Sequence, residues 1–147
     1  MTEQKCVLVR KEVFDQTLAN KPTQGKHLLE PLKSLAAENK LPLMGILEDM
    51  EVSNEAEIHH HEGDLWCCLE GEVEFIYGGE MVNPWFKKLP DGSEDKREVK
   101  AKAIAGGTKS ILKPGDWLWI PAGQPHQHNK LDGHARLVII KIPEIPK

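Results

Sequence analysis

The sequence predicts an all-β protein, and three observations carry that prediction. From Leu41 onward, short apolar segments alternate with Gly, Pro, Asn and Asp, a pattern typical of sandwiches and barrels built from short strands. One such segment, "EVEFIY" at 72–77, alternates polar and apolar side chains as a half-buried strand does. Five of the seven histidines fall in only two places, at 59–61 and at 126–128. We therefore expect a β-sheet domain in which the two histidine-bearing segments contribute to one site.

Ten strands follow from the positions of the turn residues. They are predicted near 42–49, 54–61, 64–70, 72–77, 82–87, 98–104, 109–112, 117–121, 125–129 and 135–142. The charged segment from Lys87 to Glu98 contains Pro-Asp-Gly and is predicted to be a solvated hairpin tip.

One helix is predicted before the strands. In "GKHLLEPLKSLAAENK", residues 25–40, five apolar residues have helical spacing. Pro31 is compatible with a helix only near its first turn. We expect a short helix over roughly 27–39, within an N-terminal arm (1–40) that belongs to the same domain as the β-barrel region (41–147).

Composition limits the class of protein. With 147 residues, 39% of them hydrophobic, the chain can form one domain around one core. Its net charge is −4 and its basic residues are interleaved with acidic ones, so we expect no nucleic-acid partner. No apolar run has the length of a signal peptide or of a membrane span, so we expect a cytoplasmic protein without a membrane partner.

The cysteines are expected to be structural. Three are present, and the neighbours Cys67 and Cys68 cannot bond to each other in a strand without severe strain. Because an odd number of cysteines cannot all pair in disulfides, a reducing compartment fits this chain better than a secreted location. The pair is predicted to serve as small apolar core residues, and Cys68 has the strand parity to line a pocket.

The histidines indicate a metal site. Alternate residues of a strand share a face, so His59 can act with His61, and His126 with His128, while His60 turns away. Imidazoles that converge from two strands, with Asp64 nearby, form the kind of donor set that binds a divalent metal. His128 is either an additional ligand or substrate contact, or a solvent-facing residue.

The same residues resemble the motifs of the cupin superfamily. "PGDWLWIPAGQPH", residues 114–126, matches the second cupin motif at every fixed position through His126. The first motif is matched by His59-x-His61, Asp64 and, six residues later, Gly71. It departs from the usual pattern by an Asp in place of Glu, a shorter gap after the histidines and Ser53 in place of the opening glycine. The resemblance covers about residues 42–142 and implies a small single-domain cupin, a double-stranded β-helix or jelly-roll barrel.

The resemblance implies a divalent metal held by His59, His61, Asp64 and His126. A second register makes His60, Asp64 and His126 the ligands, a two-histidine, one-carboxylate set associated with non-haem Fe(II). Both registers remain open at this stage, with Asp64 and His126 common to them. Fe(II) is the first expectation for the metal, and Zn, Ni and Mn are the alternatives.

Three functions are compatible with such a site. The first is a small metalloenzyme acting on a small organic substrate by dioxygenase-type chemistry. The others are a Zn- or Ni-dependent sugar isomerase, anomerase or cyclase, and a non-enzymatic small-molecule-binding protein. Gln124, Tyr77 and Glu62 are the candidates for a catalytic acid or base. Exposed edge strands in a barrel of this size predict a homodimer.

Overall fold

Two antiparallel sheets form the framework of the protein in a computed structural model, which describes residues 6–41 and 45–145 but not the side chain of Leu28. The elements are α1 (Lys11–Ala19), β1 (Gly25–Leu28), α2 (Leu32–Asn39), β2 (Ile46–Met50), β3 (Ala56–His59), β4 (Glu62–Glu70), β5 (Val73–Tyr77), β6 (Glu80–Met81), β7 (Trp85–Lys88), β8 (Glu94–Ala101), β9 (Ile104–Ala105), β10 (Thr108–Leu112), β11 (Trp117–Ile120), β12 (His126–Lys130) and β13 (Ala135–Pro143).

The strand order is that of a jelly roll. Sheet A has the order β1-β2-β13-β4-β11 and sheet B the order β10-β5-β12-β3-β8-β7. The chain passes from one sheet to the other at each step from β2 to β5, and again at each step from β10 to β13. Two four-stranded sheets connected in this way form the double-stranded β-helix of jelly-roll proteins. The predicted fold class is therefore confirmed, although the sheets face each other as a sandwich and do not close into a barrel.

The core lies between the two sheets. Sheet A contributes Trp66, Leu137 and Ile139, and sheet B contributes Val73 and Phe75, all of them fully buried. The rings of Trp66 and Phe75 meet edge to face with their centroids 5.2 Å apart. Side chains from both sheets thus interdigitate, as in sandwiches generally.

Each of the ten predicted strands overlaps an observed one. The first prediction, 42–49, falls partly on residues 42–44, which lie outside the described residues, and the remainder corresponds to β2. Three short strands, β1, β6 and β9, were not predicted. Of the segment 87–98 predicted as a solvated hairpin tip, only residues 89–93 form an exposed turn, because residues 87–88 end β7 and residues 94–98 belong to β8.

The N-terminal arm differs from its prediction in detail. The helix predicted over 27–39 begins only at Leu32, because residues 25–28 pair with β2 and extend sheet A. Pro31 precedes this helix as its N-cap residue. Helix α1 was not predicted, although Val13 and Phe14 are half-buried one turn before Thr17 and Leu18. No helix in the described ranges is long and apolar enough to cross a membrane.

The long connection between β5 and β10 extends sheet B. Within it, the hairpin of β7 and β8 lies along the outer edge of β3, and the register places Glu98 opposite His59. A segment that separates the two histidine groups in sequence therefore lies beside one of them in space.

Candidate metal centre

Four side chains converge between the sheets near one end of the sandwich. They are Glu57 and His59 from β3, Asp64 from β4 and His126 from β12. Glu57 and His59 are two residues apart and face inward together, while His126 lies directly opposite Glu57 in the ladder. Asp64 reaches the same point from the facing sheet. All four are buried or nearly so, and His59 is the most exposed, with 11% of its side chain accessible.

The donor atoms are spaced like the ligands of one metal ion. Asp64 Oδ2 lies 3.5 Å from His126 Nε2 and 3.6 Å from His59 Nε2. Glu57 Oε1 lies 3.6 Å and 3.7 Å from the same two nitrogens, and all four donors are within 4.8 Å of one another. Donors at the corners of a tetrahedron with metal bonds of about 2.0–2.2 Å would be roughly 3.3–3.6 Å apart. The four carboxylate–imidazole distances, 3.5–3.7 Å, are close to that range.

Two of these donor atoms make no hydrogen bond of good geometry with any described residue. Asp64 Oδ2 and His126 Nε2 are both buried and only approach each other, at 3.5 Å, which leaves their hydrogen-bonding capacity unused. The other ring nitrogen of His126, Nδ1, lies 3.1 Å from the backbone carbonyl oxygen of Gln124. A proton on Nδ1 donated to that carbonyl leaves the lone pair of Nε2 directed at the centre, as is usual for metal-binding histidines.

The metal-free centre is strongly ionised. Burial opposes ionisation of Glu57 and Asp64, but the facing histidines outweigh it, with Lys141 adding to the effect at Asp64, so both carboxyl groups have a lowered pKa. Burial alone would lower the pKa of His126, yet the carboxylates of Asp64 and Glu57 raise it to about 9. At neutral pH His126 is then an imidazolium, whose proton a divalent metal would replace.

Two lysines neutralise the carboxylates from the outside. Lys141 Nζ lies 2.6 Å from Asp64 Oδ1 and 3.3 Å from His59 Nε2. Lys100 Nζ lies 3.2 Å from Glu57 Oε2 and 3.1 Å from Glu98. In each carboxylate one oxygen faces a lysine and the other faces the histidines.

The centre meets solvent at a polar cleft of about 350 Å³ beside His59. Every residue that the structure describes along its wall is charged or a histidine: His59, His61, Glu62, Lys87, Asp95, Arg97 and Glu98. Four of them come from the hairpin of β7 and β8. Within the wall, Lys87 pairs with Glu98 at 2.8 Å and Arg97 pairs with Asp95 at 2.9 Å. The wall therefore offers both donors and acceptors to a polar molecule.

The structure places three of the four predicted metal ligands in the cluster and the fourth outside it. It brings His59, Asp64 and His126 together, whereas His61 is exposed and lines the cleft outside the cluster. His60 is also exposed, on the bend between β3 and β4.

The three candidates for an acid or base lie in two places. Glu62 lines the cleft, and its carboxylate is 3.8 Å from Lys141 Nζ. Tyr77 and Gln124 line a separate cavity of about 270 Å³, where the Tyr77 hydroxyl bonds to Ser110 at 2.9 Å. Only Glu62 is therefore next to both the cleft and the cluster.

Glu57 is the member of the cluster that the sequence reasoning missed. The signal was available, because Glu57 precedes His59 by two residues in a strand and so has the parity of a second inward donor. The first cupin motif begins its ligand set at a histidine, so the second ligand was predicted downstream of His59, at His61, and not upstream, at Glu57.

His128 belongs to a second polar pair deeper between the sheets. Its Nε2 lies 3.0 Å from Glu48 Oε1, and its ring stacks on Phe75 with centroids 5.4 Å apart. Burial raises the pKa of Glu48, but the hydrogen bond and charge of His128 prevail and the pKa is lowered. His128 is thus neither a member of the cluster nor solvent-facing.

The cysteine pair is buried and unreactive. Cys68 lies in the core, and burial raises the pKa of its thiol to about 11. Burial likewise raises the pKa of Cys67. Both thiols stay protonated at neutral pH, which does not suit redox chemistry.

Comparison with known proteins finds only distant structural likenesses. No protein-family profile and no curated protein sequence matches the chain. Among solved structures, it is similar to Drosophila melanogaster CENP-C bound to CAL1 (17% identity, TM-score 0.43, 67% of this chain and 65% of that one). It is also similar to Peruvianin-I, a cysteine peptidase from Thevetia peruviana latex (18%, 0.42, 71% and 54%).

A third similar structure is hydroquinone 1,2-dioxygenase from Sphingomonas sp. TTNP3 with 4-hydroxybenzoate bound (15%, 0.45, 71% and 62%). The chain spans between about half and two thirds of the length of these proteins. Likenesses this distant carry no activity to the chain, so its class rests on its own topology and donor set: a jelly-roll protein with a candidate metal site.

Proposed function

We propose that this protein binds one divalent metal ion through Glu57, His59, Asp64 and His126 and acts as a metalloenzyme on a small polar substrate. The observation that carries the proposal is the convergence of four buried donors, in which Asp64 Oδ2 and His126 Nε2 face each other at 3.5 Å and neither makes a hydrogen bond of good geometry with the described residues. Glu57 takes the place in the ligand set that the sequence had given to His61.

The ligand set suits several ions of intermediate hardness. Two imidazoles and two carboxylates bind Zn, Fe(II) or Mn in proteins, and the two carboxylates balance the charge of a divalent ion. A metal bound there would supply a Lewis acid that polarises a carbonyl or hydroxyl oxygen.

The chain's own residues favour a hydroxylated or charged substrate. Every residue described along the wall of the cleft is charged or a histidine, so a hydroxylated or charged molecule would find many hydrogen-bond partners there. Lys87 and Arg97 can donate hydrogen bonds to substrate oxygens, and Asp95 and Glu98 can accept them from hydroxyl groups. Glu62, at the cleft beside the cluster, is the group we assign to hold or remove a substrate proton.

These features support isomerase-type chemistry, including sugar isomerisation or anomerisation, as the first candidate. One observation favours the Fe(II) dioxygenase alternative: His59, His126 and Asp64 contain the two-histidine, one-carboxylate set of non-haem iron oxygenases. The two candidates differ in whether oxygen is consumed.

Metal analysis of untagged protein tests the proposal. We expect one equivalent of metal per chain, either as purified or after incubation with Zn²⁺, Fe²⁺, Mn²⁺ or Ni²⁺, and loss of that metal in His126→Ala. His134→Ala, which alters an exposed histidine outside the cluster, is the matched control and should retain the metal. Absence of metal from the wild type under all these conditions would refute the proposal that this protein is a metalloenzyme.

Two assays then separate the chemistries. Small aldoses and ketoses in D₂O should acquire deuterium next to the carbonyl, or exchange anomers faster, in the presence of metal-loaded protein. Glu62→Gln should abolish this exchange while retaining the metal. Oxygen uptake without any such exchange would favour the dioxygenase.

A further inference from the structure

Lys141 is a buried cation inside the candidate centre. It lies on β13 directly opposite Asp64 in the ladder, and only 9% of its side chain is accessible. Its ammonium contacts Asp64 Oδ1 at 2.6 Å and His59 Nε2 at 3.3 Å. A lysine that only balanced the charge of Asp64 would have no need to approach a histidine nitrogen.

The contact with His59 makes two states mutually exclusive. An ammonium group has three donors and no acceptor, so it can hydrogen bond to His59 Nε2 only through that nitrogen's lone pair. Nε2 is the same atom that faces Asp64 Oδ2 and Glu57 Oε1 in the cluster. One lone pair cannot be shared between a lysine proton and a metal ion.

The surroundings provide a place for the ammonium to move. Glu62 Oε1 is 3.8 Å from Lys141 Nζ and lies on the cleft side, with 37% of its side chain accessible. Asp64 Oδ1, the oxygen turned away from the histidines, can retain Lys141 as a partner while Oδ2 faces the centre. A small displacement towards Glu62 therefore frees His59 without leaving either charge unpaired.

Resting on the metal site proposed above, we propose that Lys141 is the resident cation of the metal-free centre and that a divalent ion binds only by displacing its ammonium from His59. Lys141 is then a determinant of metal affinity, and the protein exchanges one internal cation for one external cation. In the loaded state the ammonium lies nearer Glu62, beside the group we assign to the substrate proton.

Zn²⁺ titration of two lysine variants by calorimetry tests this inference. Lys141→Met keeps the aliphatic stem and removes the competing ammonium. Lys100→Met is the matched control, because Lys100 is also half-buried and pairs with a cluster carboxylate, yet contacts none of the histidine nitrogens among its described partners. We expect Lys141→Met to bind Zn²⁺ about tenfold or more tightly than the wild type, and Lys100→Met to show a clearly smaller gain.

Equal or weaker Zn²⁺ binding by Lys141→Met relative to Lys100→Met, with wild-type binding intact, would overturn this inference and leave the metal site standing. No Zn²⁺ binding by any of the three proteins would overturn the metal site as well. Binding by Lys141→Met alone would support both.

A measurement on the wild type keeps the inference testable if Lys141→Met does not fold. In protein labelled with ¹³C-lysine, one Cε resonance should shift on addition of stoichiometric Zn²⁺, and Lys141→Arg should identify it by its disappearance. A lysine spectrum unchanged by Zn²⁺ binding would show that the ammonium is not displaced.

Discussion

Single residues decide which donors form the centre, and Glu57 is the one to test first. Glu57→Gln removes one anionic donor with little change of shape, so we expect Zn²⁺ affinity to fall on the order of 100-fold. Glu55→Gln, on the exposed loop before β3, is the matched control. His61→Ala should leave the affinity within about threefold, because His61 lies outside the cluster. Calorimetry on the three variants provides the measurement.

The opposite result would restore the ligand set that the cupin resemblance implies. If His61→Ala lost the metal and Glu57→Gln retained it, the loop at 60–61 would have to turn inward on metal binding. The centre would then be a three-histidine site.

The raised pKa of His126 makes a prediction for the metal-free protein. A rise from 6.5 to about 9 on folding corresponds to roughly 3 kcal/mol of stability. Because the folded-state pKa is raised, this contribution is complete below pH 6.5 and is lost as the pH passes through about 9. Urea unfolding of chelator-treated protein should therefore show stability falling between pH 6.5 and about 9.5.

His126→Gln should remove most of the decrease in unfolding free energy between pH 6.5 and about 9.5, and His134→Gln should not. Saturating Zn²⁺ should also remove it, because the metal-bound imidazole carries no titrating proton. A metal-free wild type equally stable at pH 6.5 and 9.5 would contradict an imidazolium between Asp64 and Glu57.

The sequence could predict part of this centre because the two motifs are local features of the chain. They supplied His59, Asp64 and His126, whereas strand parity added His61 and His128, which lie outside the cluster. Glu57 has the same parity as His59 but occupies no fixed position of either motif, and Lys141 has no local signal at all. Their roles depend on the register of β3 against β12 and of β13 against β4, which only the folded sheets define.

At the level of elements, turn residues located the strands but carried no information about which strands pair. The apolar segments "DLWCCLE" and "LVIIKI" correspond to β4 and β13, whose many contacts with each other span the centre of sheet A. Residues 27 and 28 were predicted as the start of a helix over roughly 27–39, because Leu28 and Leu29 match helical spacing. They belong to β1 instead, because β2 offers a free edge to which they pair.

The turn between β4 and β5 supplies a stability prediction. Gly71 has φ +71°, and a Cβ there would lie 3.0 Å from Ala135 Cα and nearer still to the carbonyl oxygen of His134. Backbone atoms cannot give way as a flexible side chain can, so we expect Gly71→Ala to cost about 3 kcal/mol or more of unfolding free energy.

Gly78→Ala is the matched control, because Gly78 also has φ +71° but no atom within 4 Å of the added Cβ. It should cost only the backbone penalty, about 1 kcal/mol. Equal losses for the two variants in urea unfolding would indicate that the close approach of the β12–β13 connection to Gly71 does not constrain the fold.

At the scale of the whole molecule, sheet A is apolar on both faces. Inward residues of β4 and β13 form the core, while their outward neighbours Leu65, Val138 and Ile140 are only half-buried. Trp117 and Trp119 share this outer face at the edge strand β11, with 59% and 49% of their surfaces accessible. Continuous apolar strands usually belong to sheets covered on both sides. On this sheet, α1 covers the part around Arg136, whose guanidinium bonds to the carbonyls of Leu18 and Asn20.

The remainder of this outer face is the surface on which we expect the homodimer to form. A second copy would bury the two tryptophans and the half-exposed aliphatic residues beside them, and aromatic residues of this kind commonly anchor interfaces. Trp117→Lys should convert a dimer into a monomer, because it places an unpaired charge in the centre of the contact. Ile111→Lys is the control, since Ile111 is 51% exposed on the outer side of sheet B.

The oligomeric state of the wild type and both variants can be measured by light scattering coupled to size-exclusion chromatography. Circular dichroism would confirm that each variant is folded. A wild type that remains monomeric at about 100 μM would contradict the prediction, since an interface of standard size holds dimers together well below that concentration. A dimeric Trp117→Lys would place the contact elsewhere on the molecule. The candidate centre lies between the sheets and opens beside the β7–β8 hairpin of sheet B, so disruption of the dimer should leave Zn²⁺ affinity unchanged.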